Sequence, residues 1–420
     1  MHPNARQAFI ERIIAIARKA SLTGEPSSKF PVHFGRNNLD FYLDSPTADE
    51  LQQLYNKLLD TDSCRNLFSE KYIKENIEDI LVNAVASDDP QKTSEQVDEL
   101  LAEIEIYNKE FLVIVPLVGV RIDNRKLSLG QVVIRRFSGS NYRKISKRIE
   151  KIILANTRHT MEEKREHIQH TTEDLSKLEG RVCAEYSIKA EAQRARERAI
   201  EEVHRAIDLL YYCRRALHGD NWRVRIGLLG EVSREWRITP VISTNDYAFN
   251  ISSEVVGPLS EFEISPRTIA IMRKMGVFEL SEVLRKGKPT DFEETLLRCI
   301  HWYANSQIQV ERENELLSLI TSLEVLFTRQ GASIAITVGE STAFVLAKGL
   351  IERKKMSERI KAIHELRSKI SHGGNKAIND DDLNYLRTAV FYVVQKMVKR
   401  KREFGTKKDL LNWIDDQRLS

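Results

Sequence analysis

Apolar residues recur at three- and four-residue steps over Ala48–Asp60, Tyr72–Ala86 and Ser94–Tyr107, a pattern that predicts three amphipathic helices. The stretch from Ala8 keeps the same period with Glu11 and Arg12 set into it. It therefore reads as a further surface helix rather than a secretory signal. Leu22-Thr-Gly-Glu-Pro-Ser-Ser and Ser87-Asp-Asp-Pro hold the turn formers between these segments. At Phe111 the period shortens. Phe111–Ile122 and Lys126–Phe137 are strand-like runs flanking Asp123-Asn124, which predicts a β-hairpin turning there. Pro116 removes one ladder donor and puts its strand at a sheet edge or on a bulge.

Tyr142–Glu179 is densely charged and lacks Gly and Pro, whereas Arg194–Leu217 is an amphipathic helix that closes near Gly219. Val224–Val232, Glu235–Val241 and Tyr247–Ile251 form a second β-rich stretch, followed by short helices at Pro266–Lys274 and Glu279–Arg285. Beyond Pro289 the pattern is helical throughout: Phe292–Asn305, Glu311–Thr328, Ser333–Leu350, Ser357–Ser371 and Asp380–Arg402. Gly331, Gly373-Gly374 and Asn379-Asp-Asp-Asp supply stops and starts, and the short loops suit an up-down bundle. The expected fold is mainly α: an α+β N-terminal region followed by an all-α C-terminal bundle. Four parts are expected: a helical region over residues 1–110, a mixed α+β regulatory or sensor region over 111–290, a helical bundle over 291–405 and a basic tail helix over 406–420.

Composition narrows the function classes. Lys and Arg number 65 against 61 Asp and Glu, and the net charge of +4 neither demands nor excludes a nucleic-acid partner. With 41% hydrophobic residues the chain can build a core. The cysteines Cys64, Cys183, Cys213 and Cys299 are scattered with no CxxC pair, which argues against a zinc site or disulfide framework and for reduced, cytoplasmic thiols. The longest apolar run, Phe111–Val120, falls far short of the ~20 residues that span a bilayer, so no membrane partner is expected.

The informative stretch is Leu366-Arg367-Ser368-Lys369-Ile370-Ser371-His372-Gly373-Gly374, with Leu323-Glu324-Val325-Leu326-Phe327 upstream. Together they resemble the HEPN superfamily of helical domains, above all its Apea-like branch. There a Leu-Glu-x-Leu-Phe helix precedes an Arg-Ser-Lys-Ile-x-His-Gly segment. The family motif, an Arg followed by a His after four to six residues, is met by Arg367 and His372. The resemblance covers roughly Asp291–Phe404; the first 290 residues only loosely suggest the variable regions attached to such domains. It implies a HEPN-type bundle, metal-independent endoribonuclease activity without cofactor, homodimers through the bundle, and a role in phage defence. Some members have lost the activity and serve as binding modules. Arg198 with His204 and Arg359 with His364 also fit the spacing, but both lie inside long helical stretches, and only His372 runs into Gly-Gly.

The residue types suit the chemistry. RNA carries its own nucleophile, the 2′-hydroxyl, beside the scissile phosphate. An imidazole with an ordinary pKa of ~6.5 moves protons near neutrality. A guanidinium stays charged and grips phosphate oxygens in pairs. The expected products are a 2′,3′-cyclic phosphate and a 5′-hydroxyl. Five residues along a helix rotate side chains by about 140°, so Arg367 and His372 do not share one stripe. A two-fold dimer relaxes that constraint by pairing residues across the interface.

Glu324 sits on an apolar helix face. It either orients Arg367 or His372, or forms a structural salt bridge to another helix. Ser368, Lys369 and the basic run with Lys399, Arg400, Lys401 and Arg402 are candidates for RNA phosphates. The bland alternative is a solvated helix end that complements the macrodipole. His167-x-x-His170 has no third ligand in view, so no metal is expected there. Trp302-Tyr303 and Tyr211-Tyr212 read as core. The expectation is a cytoplasmic endoribonuclease acting on tRNA or other cellular RNA, restrained until a phage-derived or other trigger meets its N-terminal region. The alternative is a catalytically inactive HEPN dimer that binds RNA or protein; a toxin held by an antitoxin is a third reading.

Overall fold

The computed structural model describes residues 3–20, 32–36, 39–87, 89–123, 125–155, 157, 159–219, 224–231, 235–242, 249–256, 260–371 and 378–419. The fold is mainly helical with a small sheet region in the middle of the chain. It divides into two compact units, one of Met1–Val113 with Ser187–Ile200 and one of Ile114–Tyr186 with Glu201–Ser420.

The first unit holds α1 (Pro3–Lys19), β1 (Val32–Arg36), β2 (Leu39–Leu43), α2 (Ser45–Leu59), α3 (Asp62–Leu67), α4 (Glu70–Ser87) and α5 (Pro90–Ile106). Local chemistry sets the helix starts. The Asp44 side chain accepts the Thr47 N–H and the Asp89 side chain accepts those of Gln91 and Lys92, each followed by a proline in the first turn. The apolar stripes close on one core that includes Ile13, Ile16, Leu51, Leu54, Ile73, Ile77, Leu81 and Leu101. Each such side chain contributes about 1.5–3 kcal/mol on full burial. The three expected helices form. The antiparallel β1–β2 hairpin does not follow from the sequence, because VHFGR and LDFYL are too short and mixed to show a period of two.

The second unit opens with most of β3 (Glu110–Val118), then β4 (Val120–Arg121), β5 (Lys126–Leu129), β6 (Val132–Arg136), α6 (Gly139–Ala155), α7 (Met161–Ser176) and β7 (Val182–Lys189). Next come α8 (Ala192–His218), which belongs to this unit from Glu201 on, β8 (Gly227–Leu228), β9 (Glu235–Ile242), β10 (Phe249–Val256) and β11 (Phe262–Glu263). The main sheet has the order β5-β6-β7-β3-β8; β9 pairs antiparallel with β10, and β4 parallel with β11.

Two expectations are corrected here. The hairpin does not turn at Asp123-Asn124. Lys126–Leu129 folds back on Val132–Arg136 through Gly130-Gln131, where Gly130 has φ +60. A left-handed residue costs an L side chain about 1–2 kcal/mol, so the glycine selects the turn. Nor does β3 lie at a sheet edge, since it sits between β7 and β8. The Pro116 carbonyl accepts the Leu229 N–H. A strand residue directs its N–H and C=O to the same side, so the missing donor faces only β8, two residues long, and the β7 side loses nothing.

The remaining helices are α9 (Pro266–Lys274), α10 (Val277–Arg285), α11 (Asp291–Ser306), α12 (Arg312–Phe327), α13 (Ile334–Leu346), α14 (Leu350–Ser371), α15 (Asp380–Arg400) and α16 (Lys407–Leu419). Thr290 and Glu293 form a capping box at the start of α11, just past Pro289. α11 packs on α12 and α15, and α13 packs on α14. Phe292, Leu296, Leu319, Leu323, Leu386, Val390 and Met397 are almost fully buried among these helices. α14 starts seven residues before the Ser357 expected from sequence, because exposed Leu350 and Ile351 mask its polar face. Phe404 meets Phe292 with ring centroids 5.1 Å apart and helps to seat α16.

Candidate functional site

Glu324 lies in the last turn of α12, between buried Leu323 and Leu326, and its side chain is only 17% exposed. A carboxylate there needs partners, and α14 supplies two. The His364 Nε2–H donates to Glu324 Oε1 at 2.8 Å, and Arg367 Nη2 stands 4.0 Å from Oε2. His364 and Arg367 are three residues apart, which places them on one face of α14. The His364 hydrogen bond, with help from the Arg367 charge, holds the Glu324 carboxyl below the usual carboxylate range against the opposing effect of burial. The imidazole is 10% exposed and the guanidinium 33%. Arg367 therefore reaches solvent while His364 is enclosed. The Arg367 Nε is buried without a hydrogen-bond partner among the described residues.

His372, Gly373 and Gly374 lie outside the described residues, as do the side chains of Ser368 and Lys369, although α14 carries the backbone of both. Of the three candidate catalytic groups, Glu324 and Arg367 are brought together. The Arg359–His364 pair has a different arrangement. Arg359 binds Asp382 at 2.9 Å and stacks on Tyr385 at 4.1 Å, tying α14 to α15, while His364 turns to Glu324. His204 pairs with Glu231 at 3.0 Å.

The basic run divides. Lys399 and Arg402 are exposed and Lys401 half-buried. Arg400 pairs with Glu403 and lies 3.9 Å over the Trp413 ring, so its guanidinium is part of the α15–α16 packing. Among the described residues no group of three His, Cys, Asp or Glu side chains is placed to hold a metal. All four cysteines are buried and free, and burial pushes the Cys183 thiol up to about 11 and the Cys299 thiol up to about 12. No helix is long and apolar enough to cross a membrane, among the described residues.

A second cleft, of about 780 Å3, lies between α8 and α11. Asp208, mostly buried, accepts the Nδ1–H of exposed His301 at 2.9 Å. Arg298 and Trp302 also line this cleft. Burial raises the Asp208 carboxyl, and the Asp208 hydrogen bond raises the His301 imidazole. Sequence reading missed this pair because its members are 93 residues apart on two helices, and only their packing joins them.

Compared with protein-family models, curated proteins and solved structures, the chain matches none.

Proposed function

We propose that the protein is a metal-independent endoribonuclease of the HEPN type, with Arg367 and His372 as its catalytic residues and Glu324 as the group that positions Arg367. The observation that supports this reading is the double attachment of α14 to Glu324 through His364 and Arg367. It steadies the helix that leads into His372 and leaves the guanidinium partly open to solvent. His372 moves the proton of the 2′-hydroxyl, and Arg367 neutralises the phosphorane oxygens. His364, enclosed and tied to Glu324, acts as a positioning residue. The two motifs of a homodimer complete one composite site, and the N-terminal region restrains the activity until a trigger arrives in phage infection.

The test is cleavage of tRNA or bulk RNA in EDTA by wild type and by the His372→Ala and Arg367→Ala variants. Loss of cyclic-phosphate product in both variants supports the reading. Equal cleavage by all three rejects it. The 4.0 Å ion pair of Arg367 with Glu324 equally suits a structural cross-link in an inactive bundle. That second reading predicts salt-sensitive RNA binding that survives His372→Ala and yields no cleavage product.

A further inference from the structure

A concave site of about 450 Å3 is enclosed by the end of α13, the linker to α14, the first turn of α14, the last two turns of α15 and α16. Its lining includes Lys348, Arg353, Lys396, Lys399 and Arg400, and no carboxylate. Three of these cations are pinned. The Lys396 Nζ donates to the Val345 carbonyl at 2.6 Å, the Arg353 Nε donates to the Ala347 carbonyl, and Arg400 lies on Trp413 with Glu403 beside it. Lys348 and Lys399 have no ion pair among the described residues. The helix macrodipole favours cations at the end of α15 and just past α13, but Lys348 also stands before the start of α14, where the dipole disfavours a further positive charge.

We propose that this cleft binds a small polyphosphate anion. Lys396, Lys399 and Arg400 share one face at the end of α15, and Lys348 and Arg353 come from the segment between α13 and α14 and from the first turn of α14, so the cations meet the hollow from more than one element. That arrangement matches a compact cluster of negative charge rather than an extended phosphate backbone. Phe344, Val345, Met397 and Trp413 form apolar walls, where the attraction between a bound anion and the ammonium groups is screened less than in open water. The Lys396 ammonium is held below its usual range by burial and by the charges of Lys348 and Arg400. The charges of Lys348, Lys396 and Arg400 thus repel one another, and an anion would relieve that repulsion. The inference is independent of the nuclease reading, because it is tested by binding alone.

The experiment titrates the full-length protein with sodium tripolyphosphate, inorganic phosphate and a 2′-O-methyl RNA dodecamer by calorimetry at matched ionic strength. Tripolyphosphate is expected to bind saturably and about tenfold or more tighter than phosphate. The Lys348→Gln/Lys399→Gln double variant, altered at two exposed positions, should weaken it by about tenfold or more with an unchanged or higher melting temperature. The Lys396 ammonium signal in lysine-labelled protein should titrate at higher pH once tripolyphosphate is bound. Equal affinity in wild type and double variant would overturn the proposal. So would dodecamer binding that the double variant weakens about tenfold while tripolyphosphate binds no tighter than phosphate, which would mark the cleft as a nucleic-acid track.

Discussion

His364 donates its Nε2–H to the Oε1 of Glu324 at 2.8 Å, so a carboxylate from one helix and an imidazole 40 residues later form a mostly buried cross-link. Removing Glu324 leaves the enclosed His364 ring without this partner, and removing His364 leaves Glu324 only the more distant Arg367 guanidinium. Glu324→Ala and His364→Ala should each cost about 1–3 kcal/mol. The double variant should cost clearly less than the two added together. Chemical denaturation of the four proteins measures the coupling, and simple additivity would show that the bond contributes nothing.

The Asp208–His301 pair gives a pH signature with a definite sign. Its folded-state imidazole pKa is raised, so the stabilisation is full below the ordinary value of ~6.5 and is lost as pH rises through the higher folded value. The ring proton signals of His301 should titrate above ~6.5 in wild type and at lower pH in Asp208→Asn. The neighbouring Arg205 charge opposes the rise. A midpoint that ignores the Asp208 substitution would contradict the assigned hydrogen bond.

Gly119 and Gly287 should respond oppositely to alanine. Gly119 has φ +73, and a Cβ there would stand 1.7 Å from the Arg225 carbonyl oxygen. Backbone must move, so Gly119→Ala should lower stability by well over the ~1–2 kcal/mol of the left-handed conformation alone. Gly287 has open space around its Cα, and Gly287→Ala should shift the melting temperature little. Similar melting curves for the two variants would be incompatible with the β3–β4 junction described above.

For the proposed nuclease, His372→Ala should reduce cleavage by about 100-fold or more. Arg367→Lys should recover only part of the rate lost in Arg367→Ala, because an ammonium cannot grip two oxygens at once. His364→Ala should lower stability together with rate, whereas His372→Ala should affect rate alone. Product analysis by end-group labelling and melting curves on the same samples separate these outcomes.

Helix positions were largely legible because they depend on near neighbours. The expected helix Pro266–Lys274 matches α9 to the residue, and the break at Pro289 falls just before the start of α11 at Asp291. Strand partners were not. The runs on either side of Asp123-Asn124 predict a hairpin there, but the left-handed Gly130 turns the chain seven residues later, at Gly130-Gln131. Periodicity reports the exposure of a face and is silent on which strand lies against it.

The candidate site divides along the same line. Sequence alone singled out Arg367 and the carboxylate of Glu324, since a charge amid Leu323 and Leu326 must find a partner. Packing of α12 against α14 decided that the imidazole on that carboxylate belongs to His364, which fits the motif spacing with Arg359 but lies inside a long helical stretch with no glycine after it. The same holds for Asp208 with His301 and for Lys348 and Arg353 with Lys396, which come from elements far apart in the chain. Contacts within one helical turn follow from local residue order. Contacts between helices depend on how whole faces pack, and that is a property of the folded chain.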